Sequence, residues 1–154
     1  MPRLARNLLP SNFVHLIVQG INKEYIFEKD SWKLEYTNLI KKNFCDSNIE
    51  ILAYCIMNNH AHFLVFYEHI DALYKAMHKI NTCYAMRYNK INNRNGYVFR
   101  DRYFSQIIMN EKHLFNCLVY IHKNPVSANI ISNMSDYTFS SYNEYTREIK
   151  FSNP

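Results

Sequence analysis

Two imidazoles separated by one small residue, His60-Ala61-His62, are the first place in this chain where residue types and spacing point to chemistry. In a β-strand, residues i and i+2 project from the same face, so a strand through this segment sets both rings side by side. Two neutral imidazoles in that relation can clamp one divalent ion. The flanking Phe63-Leu64-Val65-Phe66 would give the pair a rigid, dry support. Two purely structural histidines on a strand would have the same spacing. The second place is Tyr120-Ile121-His122-Lys123-Asn124. On a helix, Tyr120 and Asn124 stand on one face, about 6 Å apart along the axis. A phenol is a poor nucleophile at neutral pH because its pKa lies near about 10. A metal ion that polarises a phosphate and draws the phenol close addresses both obstacles. Asn124 can then give an oxygen ligand from the helix that presents the nucleophile. In the plainer reading, Tyr120 is one of 13 tyrosines and packs a helix that Asn124 ends.

These residues need a strand and a helix to carry them, and the sequence supplies both. Asn12 to Ile21 is apolar and β-branched, closed by Gly20, and reads as a strand. Asp30-Ser31 offers an N-cap for a helix with Trp32, Tyr36, Leu39 and Ile40 at helical spacing through Phe44. Ile49 to Met57 and His60 to Tyr67 read as two strands joined at Asn58-Asn59, a hairpin. Asp71 to Ile91 has a helical stripe of Leu73, Met77, Ile80, Tyr84 and Tyr88, broken by Asn92 to Gly96. Two short strands are expected next, Tyr97 to Arg100 and Phe104 to Met109. Asn110 caps a last helix from Glu111 to about Asn124, where Pro125 interrupts it. This order predicts an α+β domain with helices packed on an antiparallel sheet. No internal repeat or domain boundary is visible. The expectation is one domain over 1–154, with a core of about 12–131 and a C-terminal tail of about 132–154.

Composition narrows the partner. With 18 Lys+Arg against 13 Asp+Glu the net charge is +5, and aromatic residues make up 16% of the chain. Cations neutralise phosphates and rings stack on unpaired bases, so this balance suits a nucleic acid. No apolar run reaches the roughly 20 residues of a membrane-spanning helix. The basic start Met1-Pro2-Arg3-Leu4-Ala5-Arg6 is not followed by a signal-peptide core. A cytoplasmic location is therefore expected. The widely spaced Cys45, Cys55, Cys83 and Cys117 form no C-x-x-C pair and read as reduced packing residues.

Taken together, the two segments resemble those of the single-tyrosine HUH transposases (IS200-like), especially the branch of REP-associated tyrosine transposases. The family's His–hydrophobic–His signature is matched by His60-Ala61-His62, and its Tyr-Ile-His-x-Asn-Pro segment by Tyr120-Ile121-His122-Lys123-Asn124-Pro125. Gly96-Tyr97-Val98-Phe99-Arg100-Asp101-Arg102-Tyr103 and Asp136-Tyr137-Thr138-Phe139-Ser140-Ser141-Tyr142 resemble two further family blocks, the second with Phe139 where Trp is usual. His15, Gly20 and Asn22 fall where the family's first strand opens and closes, so the likeness spans roughly residues 12 to 145. The resemblance implies a ferredoxin- or RRM-like fold with the two histidines on a central strand. It implies that Tyr120 attacks a DNA phosphate, leaving a 5′-phosphotyrosine and a free 3′-OH that can later reseal the strand. It further implies His60 and His62 as ligands of Mg²⁺ or Mn²⁺, with Asn124 as the third. The substrate would be single-stranded DNA beside a hairpin, handled by a monomer or a homodimer.

Around this centre, Arg100, Arg102 and Tyr103 are candidate contacts to the DNA backbone or to a base, against a solvated hairpin edge. Arg87 and Arg94, with Lys90, could extend a basic track. His15 could lie on the sheet near the site or be a hydrogen-bonded structural residue. Two rival functions remain: a catalytically silent module that binds a DNA or RNA hairpin, and a metal-dependent hydrolase in which water attacks. The first predicts loss of the ligand or nucleophile set, and the second calls for more carboxylates around the ion.

Overall fold

The computed structural model describes residues 12–145; the basic start of the chain and the end of the C-terminal tail lie outside the described residues. Four strands form one sheet: β1 (Phe13–Gln19), β2 (Glu50–Ile56), β3 (His60–Phe66) and β4 (Phe104–Ile107). Their spatial order is β2-β3-β1-β4, with each neighbouring pair antiparallel. Helix α1 (Asp30–Asp46) links β1 to β2, α2 (Ile70–Ile91) links β3 to β4, and α3 (Glu111–Ser127) follows β4. The β1-α1-β2-β3-α2-β4 order is the expected ferredoxin-like α+β arrangement, and β3, with both histidines, is central.

Period-2 patterning decides which face each strand residue serves. Val14, Leu16 and Val18 of β1 and Ala61, Phe63 and Val65 of β3 bury into one core, beneath α1 and α2. Those helices contribute Trp32, Tyr36, Ile40 and Phe44 at four-residue intervals, and Leu73, Met77, Ile80 and Tyr84. The opposite face of β2 and β3 gives Ala53, Cys55 and Leu64 to a smaller core with Cys117 and Ile121 of α3 and Tyr137 of the tail. A register shift between Ile51 and Ala53 inserts Leu52 into β2. It is a bulge, and it lets Leu52 and Ala53 both join the α3 side.

Tight contacts fix the site end of the sheet. Gly20 closes β1, and a Cβ there would lie 2.4 Å from the Glu24 carbonyl oxygen, so no larger residue fits. The Asn58-Asn59 turn is held from outside, since its carbonyls accept from the backbone N–H groups of Phe27 (2.8 Å) and Gly20 (2.9 Å). The tail covers the free edge of β2: Ile56 N–H donates to Phe139 O and Ser141 N–H to Tyr54 O, at 2.9 and 3.0 Å. Phe139, where a Trp is usual in the resembling family, packs against both cores.

Three expectations are corrected. Helix α1 is capped at Lys29, not at Asp30-Ser31; Asp30 is its first residue and no side chain closes the end. The segment from Tyr97 to Arg100 is not a strand. A single bridge from Phe99 to Gly20 holds it, because the chain meets β1 only at its end and turns away through Asp101 before β4. Helix α3 does not stop before Pro125 but runs through it to Ser127. Proline removes one donor in the last turn, while Ala128 N–H to Asn124 O and Ile130 N–H to Pro125 O, both 3.0 Å, keep the end closed. Among the described residues, no helix is long and apolar enough to cross a membrane.

Candidate active site

The alternation that sends Ala61 and Phe63 under α1 and α2 turns His60 and His62 to the other face, where α3 lies. His62 is 3% exposed and His60 is half-buried. Their rings meet edge to face, with centroids 5.0 Å apart. Each has one nitrogen engaged. His60 Nδ1 lies 2.6 Å from Asn59 Oδ1, an acceptor, so Nδ1 carries the proton and the Nε2 lone pair is left bare. His62 Nδ1 lies 3.0 Å from Nε2 of His15, so those two atoms share one proton and Nε2 of His62 is not used by this bond. His15 is thus a buried, hydrogen-bonded neighbour of the pair.

Burial holds all three rings neutral. It pushes His62 down to about 3, helped by repulsion from His60 and His15, and His15 down to about 4, helped by His113. It lowers His60 as well. Neutral imidazole is the form that has a lone pair to give to a metal ion.

Helix α3 brings the nucleophile candidate over this group. The helix starts firmly, as its N-cap Asn110 accepts from His113 N–H at 2.8 Å. One face then buries Cys117 and Ile121 against the sheet. The Tyr120 ring stands edge-on to His62, centroids 5.6 Å apart, and 6.2 Å from His15. It remains 55% exposed, so the phenol is next to the histidines and open to solvent. One turn on, Nδ2 of Asn124 is buried without a hydrogen-bond partner. An orphaned buried amide costs about 1–3 kcal/mol, so something outside the protein is the natural partner. With its amide turned over, Asn124 presents an oxygen to that spot. Two neutral imidazoles and one amide oxygen fit a divalent ion that keeps other ligands from water or phosphate. Among the described residues no three His, Cys, Asp or Glu side chains converge into a metal cage.

His122, between Tyr120 and Asn124 in sequence, faces elsewhere. It is buried, and its Nε2 lies 2.7 Å from Ser141 Oγ in the tail segment along β2. Burial lowers its pKa against the opposing pull of Glu144.

The arginines divide. Arg100 reaches the rim of the site: its guanidinium donates to Gln19 Oε1 at 3.2 Å, and Gln19 lies directly across from His60. Arg102 and Tyr103, with Arg100 itself, line a groove of about 1020 Å³ between α2 and residues 96–105. Tyr103 packs against the α1–α2 core, where burial raises its phenol to about 12. Arg87 pairs with Glu35 at 3.0 Å, and Arg94 with Glu24 at 2.8 Å while also donating to Asn89 Oδ1 and Tyr97 O. Two of the three cations of the expected basic track at the end of α2, Arg87 and Arg94, are thus paired with carboxylates. Sequence reasoning missed Asn59, Gln19 and Phe104. Asn59 orients His60; Gln19 and Phe104 share the histidines' face through cross-strand register, which a single sequence does not reveal.

Residues 10–124 match the family described as IS200-like transposase. No curated protein sequence matches the chain. Among solved structures, it is similar to one described as a REP-associated tyrosine transposase bound to a REP hairpin. That match has a TM-score of 0.72 and 18% identity, covering 87% of this chain and 78% of the other. A candidate transposase from Deinococcus radiodurans R1 matches with a TM-score of 0.51 and 15% identity, covering 72% of this chain and 88% of the other. At these identities the likeness is one of fold.

Proposed function

The chain belongs to the IS200-like transposase family, and on that premise we propose that it nicks and rejoins single-stranded DNA with Tyr120 as nucleophile. The observation that carries this reading is the Tyr120 ring standing 5.6 Å from His62 in the same chain while 55% exposed. The phenol is close to a group able to hold a cation, yet within reach of a strand from solvent.

In this reading the Tyr120 oxygen attacks a backbone phosphorus. An O–P bond to tyrosine forms, the bond from phosphorus to the 3′ oxygen breaks, the phenol loses its proton, and the 3′ oxygen gains one. The products are a 5′-phosphotyrosine and a free 3′-OH. Because the phosphodiester energy is kept in the adduct, a 3′-OH attacking in reverse reseals DNA without ATP. His60, His62 and Asn124 would hold Mg²⁺ or Mn²⁺, which supplies charge stabilisation to the phosphate oxygens. Burial keeps the imidazoles neutral, Asn59 fixes the His60 tautomer, and α3 sets the phenol over the pair. Arg100, bonded to Gln19 across from His60, would meet a neighbouring phosphate. A hairpin next to the cleaved strand is the favoured DNA form, by analogy with the hairpin-bound transposase of similar fold.

The test is covalent capture. The protein is incubated with labelled single-stranded DNA from the flanks of its own gene, with Mn²⁺ or EDTA, beside Tyr120→Phe and His60→Ala. The expected result is a denaturation-resistant protein–DNA band in wild type with Mn²⁺ alone. Binding without any adduct would leave a silent hairpin-binding module. Cleavage that persists in Tyr120→Phe would give the reaction to water.

A further inference from the structure

We infer that Phe104 is a stacking platform for an unpaired nucleobase beside the cleavage site, an inference that rests on the DNA-nicking reading above. The sheet register carries it. Cys55 on β2, His62 on β3, Ile17 on β1 and Phe104 on β4 lie directly across from one another in one row. Directly opposed residues of antiparallel strands share a face, so Phe104 lies on the face that bears His62 and Tyr120. With strands about 4.8 Å apart, Phe104 is two strands, roughly 10 Å, from His62. That is the scale of an adjoining nucleotide rather than of the attacked phosphate itself.

The ring is 58% exposed although it sits in a strand, where burial is the usual reason for Phe. Ile17, between it and His62, is only half-buried, so the apolar surface continues toward the site. Polar groups flank it: exposed Gln106 lies opposite His15, and Arg100 is fixed on Gln19 opposite His60. A flat apolar ring between an amide and a guanidinium matches a base with its backbone phosphate: the ring takes the π-face, the amide a base edge and the cation the phosphate. The neighbouring Tyr103 does not serve, because it is turned to the other side of the strand and packed against the α1–α2 core.

The experiment measures binding of full-length protein to a single-stranded oligonucleotide of about 12 nucleotides, within the usual site size. It is done in EDTA and in the Tyr120→Phe background, so that no catalysis is required. A fluorescent adenine analogue is moved through the strand one position at a time. Loss of one stacked base is expected to weaken binding roughly 5- to 150-fold in Phe104→Ala. Phe104→Trp should keep the affinity, and analogue quenching at one position should vanish in the alanine variant only. Unchanged melting temperature in Phe104→Ala guards against a folding artefact, since the ring is exposed. Affinity within about twofold of the parent, or full affinity in Phe104→Leu, would overturn the platform. So would a change from dimer to monomer with DNA binding intact, which would make the ring a contact between copies. An adduct in wild type together with unaffected Phe104→Ala binding sinks the platform alone. Weakened binding without any adduct sinks the nicking reading and leaves Phe104 as a base contact of a protein that binds the strand without cutting it.

Discussion

At the scale of single residues, the site depends on which atoms are engaged and which are left over. His60 and His62 each use Nδ1 in a hydrogen bond, to Asn59 and His15, while Asn124 keeps a buried amide nitrogen without a partner. If Asn124 completes a cation site, Asn124→Ala should weaken Mn²⁺ binding at least about tenfold, as loss of even a supporting group typically does. Titration calorimetry on the metal-free protein reads this directly; unchanged affinity would remove Asn124 from the ligand set. His15→Phe should weaken the same affinity by less, because it frees the His62 tautomer without removing a ligand. That the two histidines share a strand face and that Tyr120 and Asn124 share a helix face was legible from their i, i+2 and i, i+4 spacing, whereas the roles proposed for them came from the family resemblance. His15, Gln19 and Phe104 were not legible in the same way. Their place in the site comes from strand pairing between positions some forty to ninety residues apart, and local periodicity carries no information about register.

At the scale of elements, α3 is the part that must be held still, since it carries both Tyr120 and Asn124. It is anchored at its start by the Asn110 cap and near its end by the His122–Ser141 contact, with Ser141 also accepting from Tyr54 N–H at 2.9 Å. Asn110→Ala should destabilise the protein by about 1 kcal/mol, the usual value of such a cap. His122→Ala should cost about 1–3 kcal/mol, because it removes the 2.7 Å bond to Ser141 Oγ together with the packing of a buried ring. It should also lower adduct yield more than Asn110→Ala does, because it loosens the turn next to the nucleophile. Denaturant melts and covalent capture on the two variants check the order; equal adduct yields would mean that sheet packing alone holds the helix. The Asn110 cap was readable because an Asn before an acidic, apolar-periodic run has one local use. The start of α1 was not, since Asp30 and Ser31 have the right side chains for a cap, yet the chain becomes helical at Asp30 without using either. Tyr97 to Arg100 has strand-like residues but meets β1 at only one bridge, a tertiary fact that propensity does not see.

At the scale of the whole molecule, the sheet separates two environments: an aromatic core under α1 and α2, and a thinner layer under α3 that opens onto the candidate site. The aromatic side is filled with phenols. Tyr36 and Tyr84 are fully buried, Tyr54 nearly so, and Tyr137 plays the same part under α3. Burial raises the pKa of all four above the ordinary phenol value, and raises Cys55 to about 12 and Cys117 to about 11. The sign follows from proton linkage. Once pH exceeds the unfolded values, roughly 8.5 for thiol and 10 for phenol, the native state keeps protons that the unfolded chain has released. The contribution of these groups is therefore full below the unfolded values and is lost as pH rises from them through the higher folded-state values. The expected outcome is a cooperative alkaline unfolding in which tyrosinate absorbance from the buried phenols appears together with loss of the helical circular-dichroism signal. At neutral pH the same burial should let iodoacetamide label the exposed Cys45 and Cys83 but spare Cys55 and Cys117 until denaturant is added. If all the tyrosines titrated while the helical signal persisted, the α1–α2 core would have to be open to water. A sheet open on that side could not hold His60 and His62 rigid on its other face.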